Sequence, residues 1–286
     1  MEGTLDNHGL LSWRRFMIAV KRLADSLNYG TDRSAFLGSG IDYVQSRPYQ
    51  FGDPVRSIDW RVTARTGKFF VKEYETPKSL PCYLLLDTSA SMTISSQPRS
   101  KYGQAVHIAG GLAMACLDRV SPVGLVGVGS EPIRVNASLS KQQVMQWLHR
   151  LRTFRFDETT SLATRINELS PLLLDRALVI VLSDLHDPRA LTALRRLNQK
   201  HDCVVLQLQD PAERALRGSG IFRAQESETG HAFVGHGRQQ WLDQPAIDRD
   251  LKRGGVDHLL IHTDKPFAQK LRHFFQSRSL LGRGSR

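Results

Sequence analysis

Apolar residues recur along the chain at two different spacings, and the change between them divides the sequence. The first ones lie at alternating three- and four-residue steps, at Trp13, Phe16, Val20, Leu23 and Leu27. This spacing predicts a helix from Leu10 to about Tyr29. Between Ser34 and Glu75, glycines and prolines break the chain into short segments, which predicts a small, irregular, partly β subdomain.

After Pro77, short apolar runs alternate with longer amphipathic segments. The predicted strands are Cys82–Leu86, Val123–Val128, the edge strand Ile133–Asn136, Ala177–Leu182, Cys203–Gln207 and His258–Ile261. The predicted helices are Gln104–Arg119, Ser140–Leu151, Ser161–Leu174, Pro188–Lys200, Gln240–Gly254 and Pro266–Arg278, with a hairpin over Phe222–Val234. This alternation is typical of an α/β fold with a doubly wound, mostly parallel, Rossmann-like sheet. We therefore expect two parts: residues 1–78, with the first helix and the small β subdomain, and residues 79–286, with the α/β domain.

Oxygen-bearing side chains follow the ends of the predicted strands. Asp87, Ser89 and Ser91 come directly after the first strand of the α/β domain, at a spacing that lets one turn aim three side chains at one point. Asp184 follows the fourth predicted strand, and Thr160 lies at the start of a predicted helix. Because such sheets bind ligands at the carboxyl ends of their strands, we expect these five side chains to meet. Hard cations prefer oxygen ligands, so the set predicts a site for Mg2+, or for Mn2+ or Ca2+.

Other interpretations of these residues stay open. Ser and Asp favour turns and helix N-termini, so the segment from Asp87 to Ser91 could simply cap the next helix. The same ion could activate water in a hydrolase, with His186 as the general base. The chain has neither a G-x-S-x-G sequence nor a Walker A sequence, which removes the usual signals of a serine hydrolase and of an ATPase. We therefore expect a binding protein rather than an enzyme.

The balance of charge is basic. The chain of 286 residues carries 39 Lys and Arg against 28 Asp and Glu, a formal net charge of +11. This excess is spread along the chain without a recognisable nucleic-acid motif. Such a distribution favours a solvated surface, or one that faces an acidic protein, over specific nucleic-acid binding. Nucleic-acid binding through the basic surface is the third function that we consider.

Cysteines and apolar runs bear on the compartment. Cys82, Cys116 and Cys203 lie in apolar segments, at spacings that fit neither a zinc site nor a redox motif, which predicts buried, reduced thiols. No apolar run reaches the about 20 residues of a membrane-spanning helix. The first residues lack the basic-then-apolar pattern of a signal peptide. We expect a cytoplasmic protein with no membrane span.

The residues at the strand ends resemble a known metal site. Their order is Asp87-x-Ser89-x-Ser91, then Thr160, then Ser183-Asp184. This order is similar to the metal-ion-dependent adhesion site of von Willebrand factor A domains. The resemblance implies that both serines and the threonine ligate the ion directly and that both aspartates act largely through water. It also implies a coordination position left for an Asp or Glu carboxylate of a partner protein. Thr159 stands where that family often has glycine, so a shift by one residue stays open.

A second resemblance begins before the predicted sheet. The pattern is Arg47-x-Tyr49-x-x-Gly52-Asp53-x-x-Arg56-x-Ile58-Asp59-Trp60 with Thr63-Ala64-Arg65, and later Asp210-Pro211-x-Glu213 and Thr229-Gly230. It is similar to the bacterial domain-of-unknown-function-58 family, whose genes are often found beside MoxR-type AAA+ ATPases. The resemblance implies such an ATPase as the partner of an adaptor or assembly factor. The charged residues of the first segment could form a recognition surface, but an internal salt-bridge network that fastens the small subdomain to the main one is the favoured interpretation.

Overall fold

The fold is that of a computed structural model of the chain. The structure describes residues 2–5, 9–28, 42–75, 80–129, 132–155, 159–214, 221–225, 232–236 and 242–280. The predicted boundary after residue 78, the start of the predicted β subdomain and the Thr229-Gly230 pair lie outside the described residues.

The strands and helices have the following bounds. The strands are β1 Glu2–Thr4, β2 Asp42–Pro48, β3 Phe70–Glu75, β4 Cys82–Leu86, β5 Val123–Val128, β6 Pro132–Ser138, β7 Thr153–Arg155, β8 Leu178–Ser183, β9 Asp202–Gln209, β10 Ile221–Gln225, β11 Ala232–His236 and β12 Asp257–His262. The α-helices are α1 Gly9–Asn28, α2 Trp60–Thr66, α3 Ala90–Thr93, α4 Lys101–Asp118, α5 Lys141–Arg150, α6 Leu162–Leu169, α7 Ala190–Asn198, α8 Pro211–Arg214, α9 Gln244–Arg253 and α10 Ala268–Leu280. Short 3-10 turns cover Val55–Ser57 and Ser170–Leu172.

Six strands form the central sheet, in the order β12-β9-β8-β4-β5-β6. Neighbouring strands are parallel except β6, which runs antiparallel to β5 at one edge. From β4 the chain moves to β5 and β6 on one side, and it then returns to β8, β9 and β12 on the other. The strand order therefore reverses between β4 and β8. In open α/β sheets, the crevice beyond the carboxyl ends of two such strands is where ligands bind.

Helices cover both faces of this sheet. Strands β5 and β8 consist wholly of buried residues, as strands with helices on both sides require. Side chains of α1, α4, α5 and α10 complete the core on one face. Those of α6, α7 and α9 complete it on the other.

Helix α1 packs closely on helix α4 as part of the main core. Its buried residues Val20 and Leu23 belong to the same apolar cluster as the central strands. Glycines of α4 permit this approach, because a Cβ atom added at Gly111 would lie only 2.5 Å from Cδ2 of Leu23. The sequence pattern places α1 with the small β subdomain, but its apolar face is buried against the α/β body.

The fold class predicted from the sequence is confirmed at the level of an α/β fold with a mostly parallel sheet. Each predicted strand of that sheet is present, and the predicted hairpin is β10 paired with β11. The helix predicted over Ser161–Leu174 ends at Leu169, because Pro171 cannot continue it. The elements that were not predicted include the antiparallel pair of β1 with β7, helix α2 within the small β subdomain, and the four-residue helices α3 and α8.

Candidate metal centre

Two aspartates stand side by side where the strand order reverses. Strands β4 and β8 are neighbours in register, with Leu86 opposite Leu182. Asp87 directly follows β4, and its backbone N–H donates to the carbonyl of Leu182 at 2.9 Å. Asp184 directly follows β8. Both carboxylates are 1% exposed, so the structure brings two of the predicted site residues together in a buried position.

The loop after β4 carries the two predicted serines and hydrogen-bonds to Asp87. Oδ1 of Asp87 accepts a hydrogen bond from the backbone N–H of Ser89 at 3.1 Å, and Oδ2 accepts one from the hydroxyl of Ser183 at 2.6 Å. The hydroxyl oxygens of Ser89 and Ser91 lie 3.1 Å apart. Ser89 holds the N-cap position of α3 without a capping hydrogen bond from its side chain. Helix capping therefore does not explain the hydroxyl of this serine.

Thr160 lies at the same edge of the sheet. It is half-buried, and the next residue, Ser161, donates from its hydroxyl to the carbonyl of Gly129, just past β5, at 3.1 Å. The start of α6 is also tied to the loop after β8, because the backbone N–H of Ala163 donates to Asp187 at 3.3 Å. The segment that begins α6, directly after Thr160, is thus anchored to the end of β5 and to the loop after β8.

A lysine that the sequence analysis missed enters this site. Lys101, the first residue of α4, is 1% exposed. Its ammonium nitrogen lies 2.7 Å from Oδ2 of Asp184 and also donates to Oε1 of Glu213. A buried ammonium group requires such partners, because the charge has left water. The site therefore already contains one cation, supplied by the chain itself.

Glu213 reaches Lys101 because a capping box holds it in place. Oδ1 of Asp210 accepts from the backbone N–H of Ala212 at 2.9 Å, and Oε2 of Glu213 accepts from the backbone N–H of Asp210 at 3.1 Å. This exchange leaves Oε1 of Glu213 for the lysine. The Asp210-Pro211-x-Glu213 motif thus builds the start of α8 and aims a third carboxylate at the site.

His186 closes the site on its exposed side. Its Nε2 atom lies 3.8 Å from Oδ2 of Asp184 and 3.7 Å from Oε1 of Glu213. The turn before it passes through Leu185, which has a φ of 61°, a conformation that costs an ordinary residue about 1–2 kcal/mol. Burial opposes a charge on this imidazole, but Glu213 and Asp184 outweigh it and raise the pKa of His186.

The charges of the site do not balance evenly. Burial opposes ionisation of Asp184, but Lys101 and His186 outweigh it, so the pKa of Asp184 is lowered. Burial, together with the negative charge of Asp184, raises the pKa of Asp87 to about 7. The lysine therefore compensates Asp184, whereas no cation of the described residues contacts Asp87. A proton or a further cation is needed at Asp87 near neutral pH.

The donor set around Asp87 fits a hard divalent cation. Ligands at neighbouring positions of an octahedral ion with bonds of about 2.1 Å are about 3 Å apart. The two serine hydroxyls are hydrogen-bonded to each other at 3.1 Å, a separation that is compatible with this geometry. All of these donors are oxygens, and Asp87 supplies a carboxylate that lacks a compensating charge. His186, Asp184 and Glu213 form a second group whose ligand atoms lie within 4.8 Å of one another, but Lys101 already occupies it.

Comparisons with known proteins identify relatives without adding a function. The model of a family described as "Protein of unknown function DUF58" matches residues 45–241. Curated proteins from Mycobacterium bovis and Mycobacterium tuberculosis, both described as uncharacterized, are 26% identical over 264 residues, which cover 90% of this chain and 81% of each relative.

Solved structures give weaker matches. An uncharacterized membrane spanning protein from Vibrio fischeri matches with a TM-score of 0.25 and 14% identity, over 70% of this chain and 96% of that one. The PilB minor pilin from Streptococcus sanguinis matches with a TM-score of 0.40 and 10% identity, over 77% of this chain and 66% of that one. Both scores are low, and neither likeness bears on function. None of the helices that the structure describes is long and apolar enough to cross a lipid bilayer.

Proposed function

The chain belongs to the DUF58 family, and we propose that it is a metal-dependent protein-interaction module with a von Willebrand factor A-type fold. The single observation that carries the proposal is the pair of buried aspartates at the reversal point of the sheet: among the residues that the structure describes, a cationic side chain lies beside Asp184 but none lies beside Asp87. The strand order, with one antiparallel strand at the edge, agrees with this type of fold.

In the proposed site, the hydroxyls of Ser89, Ser91 and Thr160 would hold Mg2+ or a similar ion together with Asp87, and Asp184 would contribute to the same site. A bound cation supplies a Lewis acid that attracts the carboxylate of a partner's Asp or Glu. The chain's own residues do the rest. Ser183 and the backbone of the loop orient Asp87, and Lys101 neutralises Asp184, so that the positive charge of the ion is not cancelled by two full carboxylates.

The same geometry favours binding over catalysis. A hydrolase would need a base that accepts a proton from water. His186 is the imidazole beside the site, and two acidic neighbours favour its protonated form. Because its Nε2 atom lies 3.8 Å from Oδ2 of Asp184 and 3.7 Å from Oε1 of Glu213, His186 is better placed to attract an acidic partner than to accept a proton from water.

A MoxR-type AAA+ ATPase is the proposed partner, on the strength of the family resemblance. The test is the affinity of this chain for such an ATPase from the same organism, measured by biolayer interferometry in Mg2+ and again in excess EDTA. We expect affinity to fall at least about tenfold in EDTA, since a charge-assisted contact is lost. Asp87→Asn should have the same effect in Mg2+. The exposed Asp248 of α9 provides the control Asp248→Asn, which should bind normally, and equal affinity with and without Mg2+ would overturn the proposal.

A further inference from the structure

A second surface of the chain exposes apolar and basic side chains together. Within a short segment, four large apolar residues each have more than half of their surface exposed: Phe51, Val55, Trp60 and Phe69. Exposed basic residues stand between them at Arg56, Arg61, Arg65 and Lys68. We call these eight residues the basic-aromatic patch. Exposed apolar residues scattered singly are ordinary, but a group of this kind in one place marks an interaction site.

The patch stands on a built scaffold. Strands β2 and β3 pair in antiparallel register, and the backbone N–H of Asp59 donates to the carbonyl of Phe70 at 2.7 Å. Ile58 and Val71 are buried at the centre of this unit, at 8% and 2% exposure. The patch is therefore carried by α2 and by the turns that connect it to β2 and β3, all within one hydrogen-bonded unit.

Two acidic residues of this unit, Asp53 and Asp59, are used internally. Both nitrogens of the Arg47 guanidinium donate to Asp53 at 2.8 Å. The carboxylate of Asp59 caps α2 by accepting from the backbone N–H groups of Arg61 and Val62, and it also accepts from the hydroxyl of Ser46 at 2.7 Å. The sequence predicts that such pairs fasten this unit to the main domain. In the structure, the contacts of Asp53 and Asp59 instead lie between residues of the unit itself.

None of the patch arginines is paired with an acidic side chain that the structure describes. Among the ion pairs between described residues, Arg47 with Asp53 is the pair of this unit, and none involves Arg56, Arg61 or Arg65. On α2, Arg61 and Arg65 are four residues apart, so they lie next to each other on one face. Trp60 begins the same two-turn helix. Helix α2 therefore exposes two neighbouring guanidinium groups and, at its first residue, an indole.

From these contacts we infer that the basic-aromatic patch is a docking surface for an acidic protein segment that carries aromatic side chains. Trp and Arg give the largest contributions per residue in protein interfaces. The four exposed basic side chains of the patch favour a partner of opposite charge. This surface does not use the cation of the proposed metal site, so it is a second, separate point of contact.

The experiment uses a fluorescein-labelled random copolymer of glutamate and tyrosine as the probe, titrated with the full chain in EDTA so that the metal site does not contribute. Arg61→Glu with Arg65→Glu should weaken binding about tenfold or more, because two attractive charges become repulsive. Trp60→Ala should weaken it severalfold. The matched control reverses Arg249 and Arg253 to Glu, two exposed residues with the same spacing on α9, and should change affinity less than about twofold.

Several results would overturn the inference. One is a control that weakens binding as much as the patch variant, since only net charge would then matter. Another is a failure of the wild-type chain to bind the copolymer. A third is binding of the wild-type chain to vesicles of phosphatidylserine and phosphatidylcholine but not to the copolymer. If the Arg61→Glu, Arg65→Glu variant also weakened that vesicle binding, the surface would face a membrane. Circular dichroism of each variant confirms that the fold is intact.

Discussion

The ammonium nitrogen of Lys101 lies 2.7 Å from Oδ2 of Asp184, and both side chains are 1% exposed. This buried pair joins the start of α4 to the end of β8, the central strand that flanks the site. It also gives the two aspartates of the site different electrostatic environments. Asp184 is neutralised by the chain itself, and Asp87 is left as the carboxylate whose charge a bound cation can compensate.

Removal of the Lys101 charge should destabilise the protein strongly. In Lys101→Met, the buried Asp184 and the half-buried Glu213 lose the ammonium group between them, which predicts a loss of about 3–5 kcal/mol in the free energy of unfolding. Urea denaturation in EDTA measures this loss. The control is Lys141→Met, since Lys141 is also the first residue of a helix with a serine N-cap but is exposed, and it should lose no more than about 0.5 kcal/mol. Equal losses would show that the buried pair does not contribute to stability.

Asp87 should make the metal-free protein less stable as the pH rises from about 4 to about 7. In the folded chain its pKa is raised to about 7, whereas the ordinary value is 3.8. Between these values the unfolded chain loses the proton and the folded chain keeps it, so a rise in pH favours unfolding. Asp87→Asn lacks this titration. Its stability in EDTA, measured relative to that of the wild type, should increase across this window by on the order of 3 kcal/mol. A constant difference between the two proteins would contradict the raised pKa.

Alanine variants of Thr159 and Thr160 test which of these two neighbouring threonines ligates the ion. Thr160→Ala should weaken Mn2+ binding about tenfold, since one oxygen ligand is lost. Thr159→Ala should leave the affinity within about twofold, because this exposed side chain is not part of the proposed set. Isothermal titration calorimetry of both variants makes the comparison. The opposite ranking would mean that the match to the metal site is shifted by one residue.

Gly111 should be essential for the close packing of α1 on α4. An added Cβ atom would meet Leu23 at 2.5 Å, so Gly111→Ala should lower the free energy of unfolding by about 1–3 kcal/mol. We expect a net loss of stability although alanine has a helix propensity that is more favourable than that of glycine by about 1 kcal/mol. In combination with Leu23→Ala, which removes the clashing side chain, the alanine should no longer be destabilising. Additive losses in the double variant would show that the contact is not the cause.

The sequence predicted most of the sheet because its strands are short apolar runs with polar ends. Asp87 and Asp184 were found for the same reason, since each is the first acidic residue after a buried strand. Helix α2 was missed because few apolar residues repeat within its seven positions, and its start is set by the capping carboxylate of Asp59. The pair of β1 with β7 was missed because strands of three residues are too short for a pattern.

Lys101 and Glu213 could not be found by the same reasoning. A lysine in the first turn of a helix is usually exposed, and only the tertiary fold brings Lys101 into contact with Asp184. Glu213 had a weak signal, because Asp210 three residues before it forms a capping pattern at a strand end. That signal predicts a helix start but not the direction of the second carboxylate oxygen. The charge balance of the site therefore depends on tertiary contacts that the sequence does not reveal.

The central claim is that one divalent cation binds at Asp87 and the two serine hydroxyls, and the most direct measurement is a calorimetric titration with Mn2+. The wild type should bind one ion per chain. The double variant Ser89→Ala with Ser91→Ala should lose at least about tenfold in affinity, whereas His186→Ala should retain it. Binding that persists in the serine variant but disappears in His186→Ala would place the ion among Asp184, His186 and Glu213, and would contradict the account.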